Sequence, residues 1–139
     1  ASSNKATATT SVVGPAATCR GVPATMTGTA GDDTIAGTGG RDVIVTLGGN
    51  DTIASLAGRD LVCAGSGNDY IGAGSAADRA FGGAGIDRLR GRGGPDVLKG
   101  NAGDDVLKGN RGADRLRGGS GFDRCRGGAG VDSIRSCER

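Results

Sequence analysis

One apolar side chain returns at every ninth position over most of this chain, and a glycine-rich stretch separates each copy from the next. Triplets with an apolar centre, such as Thr34-Ile35-Ala36, suit a very short strand with one side chain inward and two outward. The six residues between triplets predict tight turns, because glycine readily adopts positive φ angles, and they interrupt the chain too often for a helix. The apolar column is Ile35, Ile44, Ile53, Val62, Ile71, Ala80, Leu89, Leu98, Leu107, Leu116, Cys125 and Ile134.

An aspartate stands two residues before each of these apolar side chains, and its spacing of nine never slips. Residues 28–135 therefore divide into twelve units of nine residues. A strict period over most of a chain predicts a stacked repeat architecture rather than an ordinary globular core. The aspartates are Asp33, Asp42, Asp51, Asp60, Asp69, Asp78, Asp87, Asp96, Asp105, Asp114, Asp123 and Asp132.

Several units resemble the RTX, or haemolysin-type, calcium-binding nonapeptide GGxGxDxUx. Good copies are GGAGIDRLR (82–90), GNAGDDVLK (100–108), GGSGFDRCR (118–126) and GGAGVDSIR (127–135), and the resemblance covers 108 of 139 residues. It implies an all-β fold, a parallel β-roll (right-handed β-solenoid) whose successive triplets alternate between two facing sheets. It also implies calcium ions between stacked turns, held by aspartate carboxylates and backbone carbonyls.

The chemistry of the repeat agrees with a calcium site. Calcium is a hard cation that takes several oxygen ligands in flexible geometry. Stacked strands repeat at about 4.8 Å, so six metal-free carboxylates on each edge would raise their pKa values or unfold the stack. The alternative for an aspartate in a glycine-rich turn is that it only caps its own backbone.

Stacking defines the candidate sites. All twelve aspartates are candidate calcium ligands, with the odd-numbered units on one edge of the roll and the even-numbered units on the other. Six turns have five gaps, so the two edges offer at most about ten Ca²⁺ sites. Ala76 replaces the glycine that precedes the aspartate by two residues in the other eleven units, so weak binding is expected around Asp78. Pro95 keeps its carbonyl and need not remove a ligand.

The composition provides little hydrophobic core. The chain has 30 glycines, two phenylalanines, one tyrosine and no tryptophan. One apolar residue per nine buries far less surface than a compact domain of this length needs, so something other than hydrophobic burial must supply much of the stability, and metal binding coupled to folding can do so. We therefore expect a calcium-free chain that is largely disordered and that folds at extracellular, sub-millimolar to millimolar calcium.

The two ends depart from the repeat. Residues 1–18 are small and polar and suggest an N-terminal extension or linker that could pack on the roll. Residues 19–27 continue the register without the aspartate, with Met26 in the apolar column, and resemble a degenerate capping unit. Residues 28–135 form the predicted roll, and residues 136–139 close the chain. No apolar run is long enough for a membrane helix or a signal sequence.

Four cysteines, Cys19, Cys63, Cys125 and Cys137, lack CxxC spacing, and the chain has no histidine, which argues against zinc and iron–sulfur sites. An even count beside an extracellular calcium motif predicts two disulfides in an oxidising compartment, and therefore a secreted protein. The economical pairing is Cys19–Cys63 and Cys125–Cys137, one at each end of the roll. Free buried thiols are the alternative, above all for Cys125 in the inward column.

The outward positions near the N-terminus form an apolar patch on one sheet. Val43, Val45, Leu61 and Cys63 would face outward together, and an exposed patch of this kind needs a cover. A disulfide from Cys63 would draw the N-terminal segment, with the valines at 12 and 13, across it. We therefore expect that segment to be the cover.

From the sixth unit onward the outward positions are basic, while calcium would neutralise the aspartates. One interpretation is attraction to an anionic partner such as an acidic polysaccharide or a cell surface. The other is a solvated surface that keeps flat solenoid sheets apart. Nucleic acid is disfavoured because aromatic side chains for base stacking are nearly absent. The basic residues are Arg79, Arg88, Arg90, Lys99, Lys108, Arg115, Arg117, Arg124, Arg126 and Arg135.

Three functions fit the repeat. The first is a secreted calcium-binding β-roll, a structural, adhesive or surface-binding module whose folding calcium drives. The second is an ice-binding solenoid, for which GTAG (28–31) and GTGG (37–40) supply only two threonine turns. The third is the calcium-dependent C-terminal module of a secreted enzyme or toxin. Because the chain has no histidine, no triad and no phosphate loop, we expect no enzyme activity.

Overall fold

The fold is built from strands. The computed structural model describes residues 3–6 and 17–138, with side chains over 17–138, and these ranges contain no helix that could cross a membrane. Sixteen strands form two seven-stranded sheets and one two-stranded sheet. They are β1 (Ser3–Ala6), β2 (Thr18–Cys19), β3 (Val22–Pro23), β4 (Met26–Thr27), β5 (Asp32–Ala36), β6 (Val43–Val45), β7 (Thr52–Ala54), β8 (Leu61–Cys63), β9 (Tyr70–Gly72), β10 (Arg79–Ala84), β11 (Arg88–Arg92), β12 (Val97–Ala102), β13 (Val106–Arg111), β14 (Arg115–Ser120), β15 (Arg124–Ala129) and β16 (Ser133–Arg135).

Successive triplets alternate between the two large sheets. The odd sheet joins β1, β5, β7, β9, β11, β13 and β15, and the even sheet joins β4, β6, β8, β10, β12, β14 and β16. Neighbouring strands are parallel, and corresponding triplets pair 18 residues apart, as Ile35 does with Ile53 and Ile53 with Ile71. The predicted parallel β-roll, in which units i and i+2 stack, is confirmed.

A single row of apolar side chains fills the space between the sheets. It begins at Met26 and follows the predicted column to Leu116, and Cys125 is partly buried against it. Ile134, the last member of the column, is 45 % exposed because no described layer lies beyond it. One side chain per nine-residue unit is a thin core, so hydrophobic burial contributes modestly to the stability of the roll.

Most strands of the C-terminal half are longer than the predicted triplets. β10 and β13, for example, continue through the first three residues of the next unit, where the sequence pattern predicts turn. These residues pair as strands, which the pattern does not predict, yet Gly83 and Asn110 keep the positive φ angles of a turn, 91° and 71°. Because identical turns stack in register, their N–H and C=O groups find partners in the neighbouring layer, as Asn101 does opposite Gly119.

A small hairpin covers the apolar patch of the even sheet. β2 and β3 pair antiparallel, and Cys19, Val22 and Ala24 pack against the patch and against Phe81. The Cys19–Cys63 disulfide holds this hairpin on the patch, whereas the valines at 12 and 13, which were also expected in the cover, lie outside the described residues. The turn within the hairpin, at Arg20 and Gly21, has positive φ angles.

Two further strands extend the large sheets at the N-terminal end. β4 joins the even sheet and places Met26 opposite Ile44, in the apolar column as predicted. β1 pairs with β5, with Ser3 opposite Asp32. The sequence pattern predicts no strand in residues 1–18, because small polar residues carry no alternation. The pairing requires only backbone groups, which an exposed edge strand offers to any extended segment.

Both predicted disulfides are present, Cys19–Cys63 and Cys125–Cys137. The first joins the hairpin to β8, and the second joins the C-terminal residues to β15. Beyond the second disulfide, Glu138 pairs with Arg124 and extends the odd sheet by one residue. Each end of the roll is therefore held by a covalent link.

Candidate metal centre

The twelve aspartates form two hydrogen-bonded columns, one on each edge of the roll. In each column the backbone N–H of one aspartate donates to Oδ1 of the aspartate 18 residues later, over 2.7–2.9 Å. The odd column runs from Asp33 to Asp123, and the even column from Asp42 to Asp132. Except for Asp132, their side chains are at most 3 % exposed. All twelve predicted residues therefore lie in the two expected rows.

The second carboxylate oxygen, Oδ2, has different surroundings from Oδ1 in most of these aspartates. In nine of them it is buried and has no hydrogen-bond partner within the described chain. An unsatisfied buried polar group costs about 1–3 kcal/mol, and more when it is charged. A bound cation or a proton would remove that cost. The nine are Asp51, Asp60, Asp69, Asp78, Asp87, Asp96, Asp105, Asp114 and Asp123.

The first residue of the unit makes room for this oxygen. A Cβ added at Gly82 would lie 2.5 Å from Oδ2 of Asp87, which is closer than real Cβ atoms approach. Eight units have glycine at this position. The other four have small side chains that are fully buried: Thr46, Ser55, Ala64 and Ala73.

The first two aspartates of the roll are satisfied by their own turns. Asp33 accepts hydrogen bonds from the N–H and the hydroxyl of Thr29, at 2.6 and 2.9 Å. Asp42 accepts the same pair from Thr38, at 2.7 and 2.9 Å. The self-capping alternative therefore applies to these two units. These contacts also occupy the threonine hydroxyls that an ice-binding face would present to water.

Burial raises the pKa of eight column aspartates above the ordinary value of 3.8. Removal from water is the largest cause; the N–H donors of the ladder oppose it, and neighbouring carboxylates add to it at most positions. Near neutral pH the metal-free columns are therefore partly protonated. The pKa rises to about 8 at Asp69 and Asp96, to about 7 at Asp78 and Asp105, to about 6 at Asp60 and Asp87, and is also raised at Asp51 and Asp114.

Carboxylates alone do not complete a metal site. Over residues 17–138, no three side chains of Asp, Glu, His or Cys converge on one point. The remaining ligands would be carbonyl oxygens of the turns. These oxygens point toward the next layer, since the carbonyl oxygen of Gly49 lies so close to Gly67 that a Cβ added there would collide with it. A donor set made only of oxygen fits calcium and does not fit zinc.

The turns of units 3–12 are left-handed at their second and fourth residues. These residues have φ values from 69° to 116°. Ala76, at a fourth position, has φ 76°, so it adopts the left-handed backbone angles of the glycine column. Its Cβ makes that conformation unfavourable by about 1–2 kcal/mol.

Replacing Ala76 by glycine should strengthen the turn before Asp78. We expect Ala76→Gly to raise the Tm in saturating calcium by about 2–5 °C, because glycine adopts positive φ at no steric cost. Gly85→Ala, at the same position of the next unit, is the matched control and should lower the Tm. Thermal melts followed by circular dichroism measure both. A lower Tm for Ala76→Gly would contradict the assignment of strain to this turn.

Glu138 terminates the odd column. Its carboxylate accepts a hydrogen bond from the N–H of Asp123 over 2.7 Å, in place of the aspartate that the period would put at position 141. The sequence pattern does not predict this role, because Glu138 lies 15 residues after Asp123 rather than 18. The longer glutamate side chain and the adjacent Cys125–Cys137 disulfide bring it into position.

Comparison with known families agrees with this geometry. No curated protein and no solved structure matches the chain. The model of the family described as RTX calcium-binding nonapeptide repeat (4 copies) matches residues 27–62, 37–71, 46–80, 63–89, 72–107, 81–116, 90–125 and 99–134. Together these matches span 27–134 and contain both aspartate columns. The chain belongs to the RTX calcium-binding nonapeptide-repeat family.

Proposed function

We propose that this protein is a secreted β-roll whose folding is driven by Ca²⁺ and which acts outside the cell as a structural, surface-binding module. The observation that carries the proposal is the set of nine buried Oδ2 atoms without partners. Without a cation these atoms oppose folding, and with one they become ligands. Folding and calcium binding are then one equilibrium.

The hydrogen bonds of the aspartates support a ranking of the twelve candidate ligands. The nine aspartates with unsatisfied Oδ2 are the strongest, five in the odd column and four in the even column. Asp78 is among them, so the weak binding expected there rests only on the left-handed conformation of Ala76 in the preceding turn. Asp33 and Asp42 are already held by threonines, and Asp132 is only half-buried at the end of the even column. We therefore expect about nine sites or fewer, within the limit of about ten that stacking allows.

Two features support an extracellular site of action. The thin core needs the free energy of binding: each site contributes about 2.7 kcal/mol at a calcium concentration one hundred times its Kd. Millimolar calcium outside cells reaches that ratio for sites with a Kd of about 10 μM. The two disulfides also need an oxidising compartment. We propose no catalytic role, since the chain has no histidine and its buried carboxylates serve the ladders.

A calcium titration followed by circular dichroism tests the proposal. In excess chelator at neutral pH the full chain should give a largely disordered spectrum, and millimolar Ca²⁺ should convert it to a β spectrum. Isothermal titration calorimetry should count several ions per chain. Magnesium at equal concentration is the control, and it should fail to fold the chain because it demands stricter octahedral geometry. An ordered β spectrum in chelator at neutral pH would overturn the proposal.

A further inference from the structure

The outer face of the even sheet presents two rows of side chains along the axis of the roll. Members of one row are about 4.8 Å apart, and the two rows are about 7 Å apart. Five of the eight side chains are basic. The rows are Arg79, Val97, Arg115 and Ser133, and Phe81, Lys99, Arg117 and Arg135.

The basic side chains line one shallow hollow on this face, which we call the even trough. It is formed by Arg79, Lys99, Arg115, Arg117 and Arg135, with Val97 in its floor. Four of the five are exposed, and Lys99 is half-exposed. Within the described chain no carboxylate oxygen lies within 4.0 Å of their charged nitrogens. The trough therefore concentrates positive charge that nothing in the described chain neutralises.

The N-terminal end of the even trough is closed by the covering hairpin. The guanidinium of Arg20 lies 4.9 Å from the ring centroid of Phe81, and the ammonium of Lys99 lies 5.6 Å from it. Arg20 thus adds a sixth cation at this end. Phe81 is only 6 % exposed, so its ring has no free surface for stacking with a ligand.

The outer face of the odd sheet is also basic, with Arg88, Arg90 and Lys108 around one hollow, but at its C-terminal end an acidic residue lies among the basic side chains. Of the 15 acidic residues, twelve belong to the columns, which leaves three. Asp32 and Asp104 stand next to column aspartates of odd units, where each accepts a backbone N–H from the next layer, at Asn50 and Phe122 respectively. Glu138 lies beyond β15. Glu138 lines the same hollow as Arg124 and Arg126. Among the described residues that line the even trough, none is acidic.

We propose that the even trough binds a linear polysaccharide that carries sulfate or carboxylate groups, laid along the axis of the roll. This deepens the proposed function, because the rows exist only when calcium has stacked the layers. Arginine is suited to sulfate and carboxylate, since its planar guanidinium donates two parallel hydrogen bonds to two oxygens. Nucleic acid fits less well, because single strands bind by stacking their bases on exposed aromatic rings.

Matched variants of the full chain test this proposal. Arg79→Thr, Arg115→Thr and Arg117→Thr together remove three charges from the even trough; Arg88→Thr, Arg90→Thr and Arg124→Thr remove three from the odd face. Threonine occupies equivalent outward positions at Thr34 and Thr52, so the strands should tolerate it. Binding in saturating calcium is measured with heparin, which bears sulfates and carboxylates, with hyaluronan, which bears carboxylates alone, and with single-stranded DNA. Circular dichroism checks that each variant keeps its calcium midpoint.

The even-trough variant should bind heparin about tenfold to one hundredfold more weakly, as expected for three partly exposed charge contacts. The odd-face variant should change by less than about threefold. Binding of hyaluronan would extend the ligand class to carboxylates, and its absence would restrict it to sulfates. Equal losses in both variants, or tighter binding of DNA than of either polysaccharide, would overturn the proposal. So would a wild-type chain that folds in calcium and binds neither polysaccharide, whereas a chain that fails to fold in calcium refutes the proposed function itself.

Discussion

Replacing both Asp87 and Asp105 by asparagine is expected to raise the calcium concentration at the folding midpoint about tenfold or more. Asparagine keeps an oxygen that can accept the N–H of the ladder, at Asp69 and Asp87 respectively. It removes the charge from two neighbouring layers of the odd column, and calcium affinity follows the charge of the ligand set. A calcium titration followed by circular dichroism measures the shift.

The matched control is Asp33→Asn. Asp33 is buried in the same column, but both of its oxygens accept hydrogen bonds from Thr29. Its substitution should therefore lower the Tm somewhat and leave the calcium midpoint within about twofold of the wild type. Equal shifts for the two variants would show that the unsatisfied oxygens do not mark the metal sites.

The second large effect is a pH dependence that reverses its sign with calcium. In chelator, lowering the pH from about 8 to about 4 should increase the β signal. Burial raises the pKa of Asp69 and Asp96 from 3.8 to about 8, and that of Asp60 to about 6. A carboxyl group with a higher pKa in the folded state binds its proton more tightly there, so protonation favours folding. This stabilisation is complete below about pH 3.8 and is lost as the pH rises through about 6 to 8.

Calcium reverses the direction of the pH dependence of folding because it binds the deprotonated carboxylate. At a fixed calcium concentration near the midpoint, lowering the pH from about 8 to 6 should release the metal and raise the midpoint. Parallel titrations in chelator and in calcium, followed by circular dichroism, distinguish the two regimes. Asp69→Asn with Asp96→Asn is the control and should flatten the pH dependence in chelator. A chelated chain whose order increases with pH would contradict the assignment of protons to the columns.

The repeat made most of the fold predictable. Because the period of nine is strict, the apolar column and the alternation between two sheets follow from spacing alone, and both are confirmed. The lengths of the strands could not be predicted from the spacing. Residues 82–84 are turn formers when taken singly. They extend β10 because they pair with the corresponding turn of the next layer, as Gly83 does with Asn101.

The candidate site was predictable as a set and not in its details. All twelve aspartates are equivalent in the repeat, yet Thr29 and Thr38 satisfy the first two, and the end of the roll leaves Asp132 half-buried. The GTAG and GTGG turns were visible in the sequence, but the contacts of their hydroxyls were not. Glu138 lies outside the period, so no spacing argument could have identified it.

The sequence by itself determined the architecture and the two aspartate rows, because with a strict period the position of a residue along the chain fixes its position in the stack. Only the tertiary structure decided which carboxylate oxygens lack a partner, what covers the apolar patch and which basic face is free of acidic groups. Those properties depend on contacts between layers 18 residues apart and on the irregular ends of the chain. The spacing of a repeat specifies neither these contacts nor the irregular ends.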